Sequence, residues 1–162
     1  MRYLMKQKVF ALGSDFVIRD SDDREVFVVD GKAFSLGSQL SFQDLEGREL
    51  AFIRQKLLSW SPRFEVTRDG ELAALVTKEL FSFLKCRFTV DVPGPDDLEA
   101  EGDFLDHEYA FTLGGRTVAT VSKRWFTFGD TYGVDILPDQ DDVLILASTI
   151  VVDMACHHRK HG

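Results

Sequence analysis

The sequence predicts a mainly β fold: a closed antiparallel β-barrel of roughly twelve strands around a central buried hydrophobic helix near the C-terminal end. Three observations predict it. The chain carries an internal repeat of short alternating apolar runs, it is unusually rich in Phe, and one late apolar run has a different period. The 14 Phe stand beside only 4 Pro. Aromatic and β-branched side chains fit pleated, half-buried surfaces.

Each copy of the repeat reads as a strand, a tight turn, a strand, a second turn and a further strand. The middle copy runs Phe64-Glu65-Val66, Asp69-Gly70, Leu72 to Val76, then Phe81-Ser82-Phe83 and Phe88-Thr89-Val90. The preceding copy runs Phe42, Glu46-Gly47, Leu50 to Ile53, then Leu58-Ser59-Trp60. A later copy runs Tyr109-Ala110-Phe111, Gly114-Gly115, Val118 to Val121, then Phe126-Thr127-Phe128 and Tyr132-Gly133-Val134. Anchored on Ala51, Ala74 and Ala119, the copies lie 23 and 45 residues apart, and Val26 and Val28 mark a weaker first copy. Period-two alternation broken by Asp-Gly and Gly-Gly is hairpin chemistry. Four such units make roughly ten to twelve strands, as in a closed barrel or a sandwich.

The period changes after Pro138-Asp139-Gln140-Asp141-Asp142. A Pro and three Asp ahead of an apolar run start a helix, because carboxylates cap the free N–H groups and face the positive dipole end. The predicted helix, 143–156, is apolar on every face except at Ser148, Thr149 and Asp153. Such a helix must be enclosed, and it is shorter than the ~20 residues a membrane span needs. Strands with one apolar face supply the enclosure, which joins both halves of the chain into a barrel around a helix.

At 162 residues the chain reads as one domain, 1–162, with a net charge of −8. Residues 91–108 hold eight acidic side chains and no basic one, so the rest of the chain is neutral. With Pro93-Gly94-Pro95 at its start, this segment reads as an acidic loop insertion and accounts for the wide spacing between Ala74 and Ala119. No nucleic-acid partner is expected, since binding a phosphate backbone needs a basic surface excess, although a neutral body leaves room for a small basic patch. The two cysteines, Cys86 and Cys156, match no metal framework. The absence of an apolar stretch behind Met1 to Lys8 predicts no export signal, and hence a cytoplasmic protein.

Taken together, the repeats and terminal helix resemble the LURP-one-related family, within the tubby C-terminal-like superfamily that also holds phospholipid scramblases. The stretch that carries the resemblance is Gly102-Asp103-Phe104-Leu105, Tyr109-Ala110-Phe111, Val118 to Lys123, Tyr132-Gly133-Val134-Asp135, and Asp141-Asp142 leading into the helix. The resemblance extends over nearly the whole chain and lies in the order of elements. It implies a twelve-stranded barrel filled by its C-terminal helix. It also implies two chemistries found among relatives: phosphoinositide binding by basic wall residues, and calcium at an Asp-rich approach to the helix. The alternating Asp run of the scramblases is missing here.

Candidate sites are few. No nucleophile elbow, Walker loop or His-Glu-x-x-His is present, so no catalytic residue is assigned. Cys156, His157 and His158 offer soft ligands, but adjacent helical side chains diverge by about 100°, and a frayed polar tail explains them as well. Asp135, Asp139 and Asp141 are the calcium candidates, although helix capping already accounts for such residues. Lys56, Lys78, Lys123 and Arg124 recur at similar places in successive repeats and form the candidate lipid-headgroup site. A polar outer face would place lysines there too. Trp60, Phe83, Trp125, Phe126 and Phe128 fit the space between barrel and helix better than a ligand pocket. Asp153 requires partners or a raised pKa.

The reading is a non-enzymatic binding or scaffold module. Its expected partner is an anionic phospholipid headgroup at the membrane periphery, or a protein. No cofactor and no resident metal are expected. A small-molecule-binding barrel and an enzyme without a recognisable site are the alternatives.

Overall fold

A computed structural model describes residues 1–8, 15–31, 37–82, 85–94, 96–125 and 131–157. Twelve strands precede one helix: β1 (Arg2–Lys8), β2 (Asp15–Arg19), β3 (Glu25–Gly31), β4 (Gln39–Gln43), β5 (Glu49–Gln55) and β6 (Arg63–Arg68), then β7 (Glu71–Ser82), β8 (Lys85–Asp91), β9 (Leu98–Asp103), β10 (Glu108–Leu113), β11 (Arg116–Ser122), β12 (Thr131–Ile136) and α1 (Asp142–His157). Each strand pairs antiparallel with its neighbours in the chain, and β12 pairs back onto β1, for instance Val134 opposite Tyr3. The barrel is therefore closed and exposes no sheet edge. The twelve strands and the terminal helix are those the sequence predicts.

Since the strands simply go up and down, even strands all finish at one end of the barrel and odd strands at the other. The helix follows β12, so it enters where the even strands finish. Asp141 caps it there: its carboxylate accepts from the Leu144 N–H at 3.2 Å and forms a bidentate pair with Arg68 at 2.6 and 2.9 Å. Tyr3 donates to Asp142 at 2.6 Å. The helix then runs to the opposite end, where the odd strands finish. These are called the entry end and the exit end below.

The core is the inner face of the barrel together with the helix. Phe16, Phe42, Phe88 and Phe111 from the wall, and Ile145, Leu146 and Ile150 from α1, are fully buried. The anchor residues of the repeat have a specific packing role. Ala51 lies opposite Phe42, Ala74 opposite Val66 and Ala119 opposite Phe111, all facing inward. A small side chain beside a large one keeps that part of the wall thin. The strands α1 approaches most closely are β5, β6, β7 and β12, where Ala51, Ala74 and Gly133 stand. Inside the helix, Ser148 and Thr149 donate to the Leu144 and Ile145 carbonyls, each at 2.8 Å, so neither buried hydroxyl is left unpaired.

The acidic stretch 91–108 is not the loop insertion expected. Residues 98–103 form β9, a full wall strand between β8 and β10, with Leu98 and Ala100 buried and Phe104 buried directly after it. The charge deceives because a strand shows its polar residues on one face only. Glu99 and Glu101 sit on the outer face, both beside Arg87 of β8, at 3.7 and 3.2 Å. Gly102 explains the Gly-x-Phe stretch. Its φ is +141°, and a Cβ there would lie 2.6 Å from the Tyr109 Cα, so β9 can lie this close to β10 only with glycine.

Candidate functional site

The two ends of the barrel differ in composition. Connections at the entry end hold eight more acidic than basic residues, whereas those at the exit end hold two more basic than acidic. Large apolar residues divide the opposite way. Among the described residues, the exit-end connections expose Leu57, Leu58, Trp60 and Leu105, whereas the entry-end connections expose only Leu45 and Leu137. The entry end is also built from tight, locally satisfied turns. Asp20 accepts the Asp22 and Arg24 amides at 2.9 and 3.0 Å, and Asp44 accepts the Glu46 and Arg48 amides at 2.9 Å each. These bonds hold both carboxyl groups below the usual range.

At the exit end the barrel mouth encloses a polar cluster above the last turns of α1. Asp153 is only 6% exposed. It accepts a short hydrogen bond from the Tyr132 hydroxyl, and its other oxygen lies 3.2 Å from His107 Nδ1. The His107 ring stacks on Tyr132 with centroids 4.3 Å apart. Burial, then the Asp153 charge, pushes the Tyr109 and Tyr132 hydroxyls well above their ordinary range. Cys156 is pushed up to about 11 by burial, with Lys78 pulling the other way. A thiol so disfavoured as thiolate is a poor nucleophile.

On the rim beside this mouth, the connection 56–62 between β5 and β6 frames an open groove of about 620 Å³. Arg54, Lys56 and Arg63 line it, with Leu57, Leu58 and Trp60 forming its lip. Leu58 and Trp60 are fully exposed, at 103% and 108%. The connection is nevertheless held in place. The Lys56 amide donates to the Arg63 carbonyl at 2.8 Å, and the Lys78 amide donates to the Pro62 carbonyl at 2.9 Å. Ser59 Oγ donates to the Ser61 carbonyl at 2.7 Å, and Leu57 packs onto Gly37. Glu65 faces Arg54 at 3.0 Å and Lys56 at 3.4 Å, which lowers its carboxyl below the usual range. Arg63 Nε is enclosed with no acceptor among the described residues.

The four headgroup candidates all lie at the exit end, but around the rim rather than along one stripe. Lys56 follows β5 and pairs with Glu65. Lys78 continues the inward face of Ala74 and Val76 and stands beside Cys156 at the mouth. The amides of Lys123 and Arg124 both donate to Glu108, at 3.1 and 3.2 Å. The calcium candidates are not brought together. Asp135 pairs with Arg2 on the outer wall at 3.5 Å, Asp141 caps the helix, and Asp139 sits in the turn before it with φ of +65°. No group of three or more metal-ligating side chains occurs among the described residues.

Two aromatics expected inside are not there. Trp60 is exposed because residues 56–62 connect strands and leave the alternating pattern. Trp125 lies over the Arg2 guanidinium at 4.1 Å, whose own side chain is on the outer face beside Asp135. Phe83, Phe126, Phe128 and His158 lie outside the described residues, as does the His157 side chain. Sequence reasoning missed His107 as the partner of Asp153, and Arg54 and Arg63 as groove residues. The first has no local signal. The second is signalled by Lys56-Leu57-Leu58-Ser59-Trp60-Ser61-Pro62-Arg63, where apolar residues stand among turn formers.

Comparison with known proteins bears on the whole chain. Residues 1–153 match the model of the LURP-one-related family. The uncharacterised protein YxjI of Bacillus subtilis (strain 168) is 36% identical over 154 residues, 95% of this chain and 93% of that protein. An Arabidopsis thaliana protein solved by X-ray crystallography superposes with a TM-score of 0.68 at 19% identity, over 94% of this chain and 90% of that one. The last likeness is one of fold. The match over 1–153 and the bacterial relative together show that this chain belongs to the LURP-one-related family.

Proposed function

We propose that the protein is a non-enzymatic module that docks its exit end on a membrane surface carrying anionic phospholipid. The observation that carries this reading is the polarity along the barrel axis: apolar and basic connections at one end, acidic ones at the other. An overall charge of −8 repels an anionic bilayer, but the repulsion is screened within about 10 Å at ordinary salt. A barrel standing on its exit end holds most of the acidic turns a strand length away from the lipid. Each Lys or Arg near the surface then contributes about 1 kcal/mol. Exposed Leu58, Trp60 and Leu105 at the same end add interfacial partitioning. No described helix is long and apolar enough to cross a membrane, so contact would be peripheral through the connections.

Sedimentation with vesicles tests it. Binding is expected to phosphatidylcholine vesicles containing phosphatidylserine or phosphoinositide, to weaken between low and physiological salt, and to be far weaker on phosphatidylcholine alone. Lys123→Glu with Arg124→Glu is expected to weaken it further. Asp22→Lys with Asp96→Lys changes the net charge by the same amount in the opposite sense, but at the entry end, and is expected to have little effect at physiological salt. Equal effects of net charge wherever it is placed, or no binding at low salt, would refute the proposal.

A further inference from the structure

We infer that the β5–β6 connection is the element that enters the bilayer and that its groove takes one phospholipid phosphate. In this arrangement Leu58 and Trp60 sit in the acyl boundary, and Arg54, Lys56 and Arg63 face the headgroup. The inference rests on the membrane reading above and goes further by assigning the inserting residues and the ligand chemistry.

Folding gives no reason for the tip. Leu58 and Trp60 contribute nothing to the core at full exposure, and water around two large apolar side chains is unfavourable. Their presentation is structured rather than incidental, since hydrogen bonds from Lys56, Lys78 and Ser59 pin the connection on both sides. Behind the tip the groove is cationic. Three cations against the one carboxylate of Glu65 leave an excess of two positive charges. Arg63 forms no ion pair among the described residues, and its enclosed Nε lacks an acceptor. Guanidinium groups suit phosphate oxygens because they donate in a planar fork. An apolar tip ahead of a basic groove matches the order met on leaving a bilayer from its interior: acyl chains deepest, phosphate above them.

A protein partner fits less well. Among the described residues, the exposed apolar side chains of the exit-end connections stand on two separate connections, Leu57, Leu58 and Trp60 on 56–62 and Leu105 on 104–107. That distribution suits a planar, fluid surface more than a single complementary one.

Trp60 itself is the reporter, because the chain has only 2 Trp and Trp125→Phe leaves it as the sole indole. Its emission is expected to shift to the blue on addition of phosphatidylserine-containing vesicles and to be quenched by lipids brominated on the acyl chains. Leu58→Asp with Trp60→Asp, read by sedimentation, is expected to lower vesicle partitioning by about tenfold or more while leaving the melting temperature unchanged, since both side chains are exposed. Arg63→Ala is expected to weaken binding to anionic vesicles several-fold while Trp60 still reaches the acyl chains. Sedimentation with vesicles but unmoved Trp60 emission would overturn this inference and leave the membrane reading standing. Absence of any sedimentation would overturn both. A Trp60 shift with inorganic phosphate and no vesicle binding would assign the groove to a soluble ligand. A shift that grows with protein concentration alone would assign the tip to self-association. Either result would overturn the inference.

Discussion

Replacing Tyr132 by Phe tests whether the buried cluster at the exit end is held by a specific hydrogen bond or merely tolerated. The ring and its stacking on His107 are kept, and one oxygen is removed. Asp153, 6% exposed, loses the hydroxyl that donates to its carboxylate. A hydrogen bond to a charged group contributes about 1.5–3 kcal/mol, part of which is offset because the variant no longer desolvates a hydroxyl. A net loss of about 2 kcal/mol would lower the melting temperature of a domain this size by about 4–8 °C. Equilibrium unfolding in urea at neutral pH measures it, and a double-mutant cycle with Asp153→Ala separates the pair from its surroundings. The double variant is expected to be less destabilised than the sum of the singles by at least about 1 kcal/mol. Additivity within about 0.5 kcal/mol, or a Tyr132→Phe protein as stable as the parent, would refute the account.

The other expectations concern the wall, the helix start and pH. Gly102→Ala places a Cβ 2.6 Å from the Tyr109 Cα and the Glu108 carbonyl oxygen; backbone must move, and a loss of about 3 kcal/mol or a failure to fold is expected, read by thermal unfolding. Asp141→Ala removes both the cap on Leu144 and the bidentate partner of Arg68. About 1–2 kcal/mol should disappear in urea unfolding, whereas Asp139→Ala, which makes neither contact, should cost clearly less. Stability should fall on the alkaline side. Below about pH 8 the Cys156 thiol and the three tyrosines are almost wholly neutral in both folded and unfolded chains, so they add no pH dependence. Above it the unfolded chain ionises while burial keeps the folded groups neutral, up to about 11 for Cys156 and higher for Tyr3, Tyr109 and Tyr132. Unfolding midpoints measured between pH 8 and 11 should therefore decline with pH, and a flat profile would contradict this burial.

Those features that repeat or that obey a period were legible in the sequence. Ala51, Ala74 and Ala119 recur because each hairpin sets a small inward residue opposite a larger one, and 143–156 is apolar all round because strands surround it. Asp141 was readable as a cap because capping is local. By contrast, β9 was hidden by its charge: Glu99 and Glu101 lie on one face of a strand whose other face is Leu98 and Ala100, and composition averages the two. His107 and Asp153 meet across the barrel mouth from a turn and a helix, a pairing that no local pattern encodes. Trp60 was misplaced because an aromatic in a repeat looks like core, while the turn formers Ser59, Ser61 and Pro62 around it take the chain out of the wall.

The same topology explains why binding chemistry would gather at one end of this barrel. A closed wall has no edge to offer a strand, and its inner face is taken up by packing on its own helix, so the connections are where side chains can vary most freely. At the entry end the connections are constrained: several are two to five residues long, and Asp20, Asp44 and Asp141 are committed to satisfying backbone N–H groups. The exit end carries longer connections, among them 56–62, where Leu58 and Trp60 stand fully exposed. Leu58 and Trp60 can be exposed there without cost to the wall, and Arg63 can keep an Nε that has no acceptor among the described residues. If the exit end were only a loosely specified rim, replacing 57–61 by a short Gly-Asn turn would change nothing but solubility. The lipid reading expects instead that this replacement preserves cooperative unfolding and removes vesicle binding together. A replacement that unfolded the barrel would show the connection to be part of the scaffold.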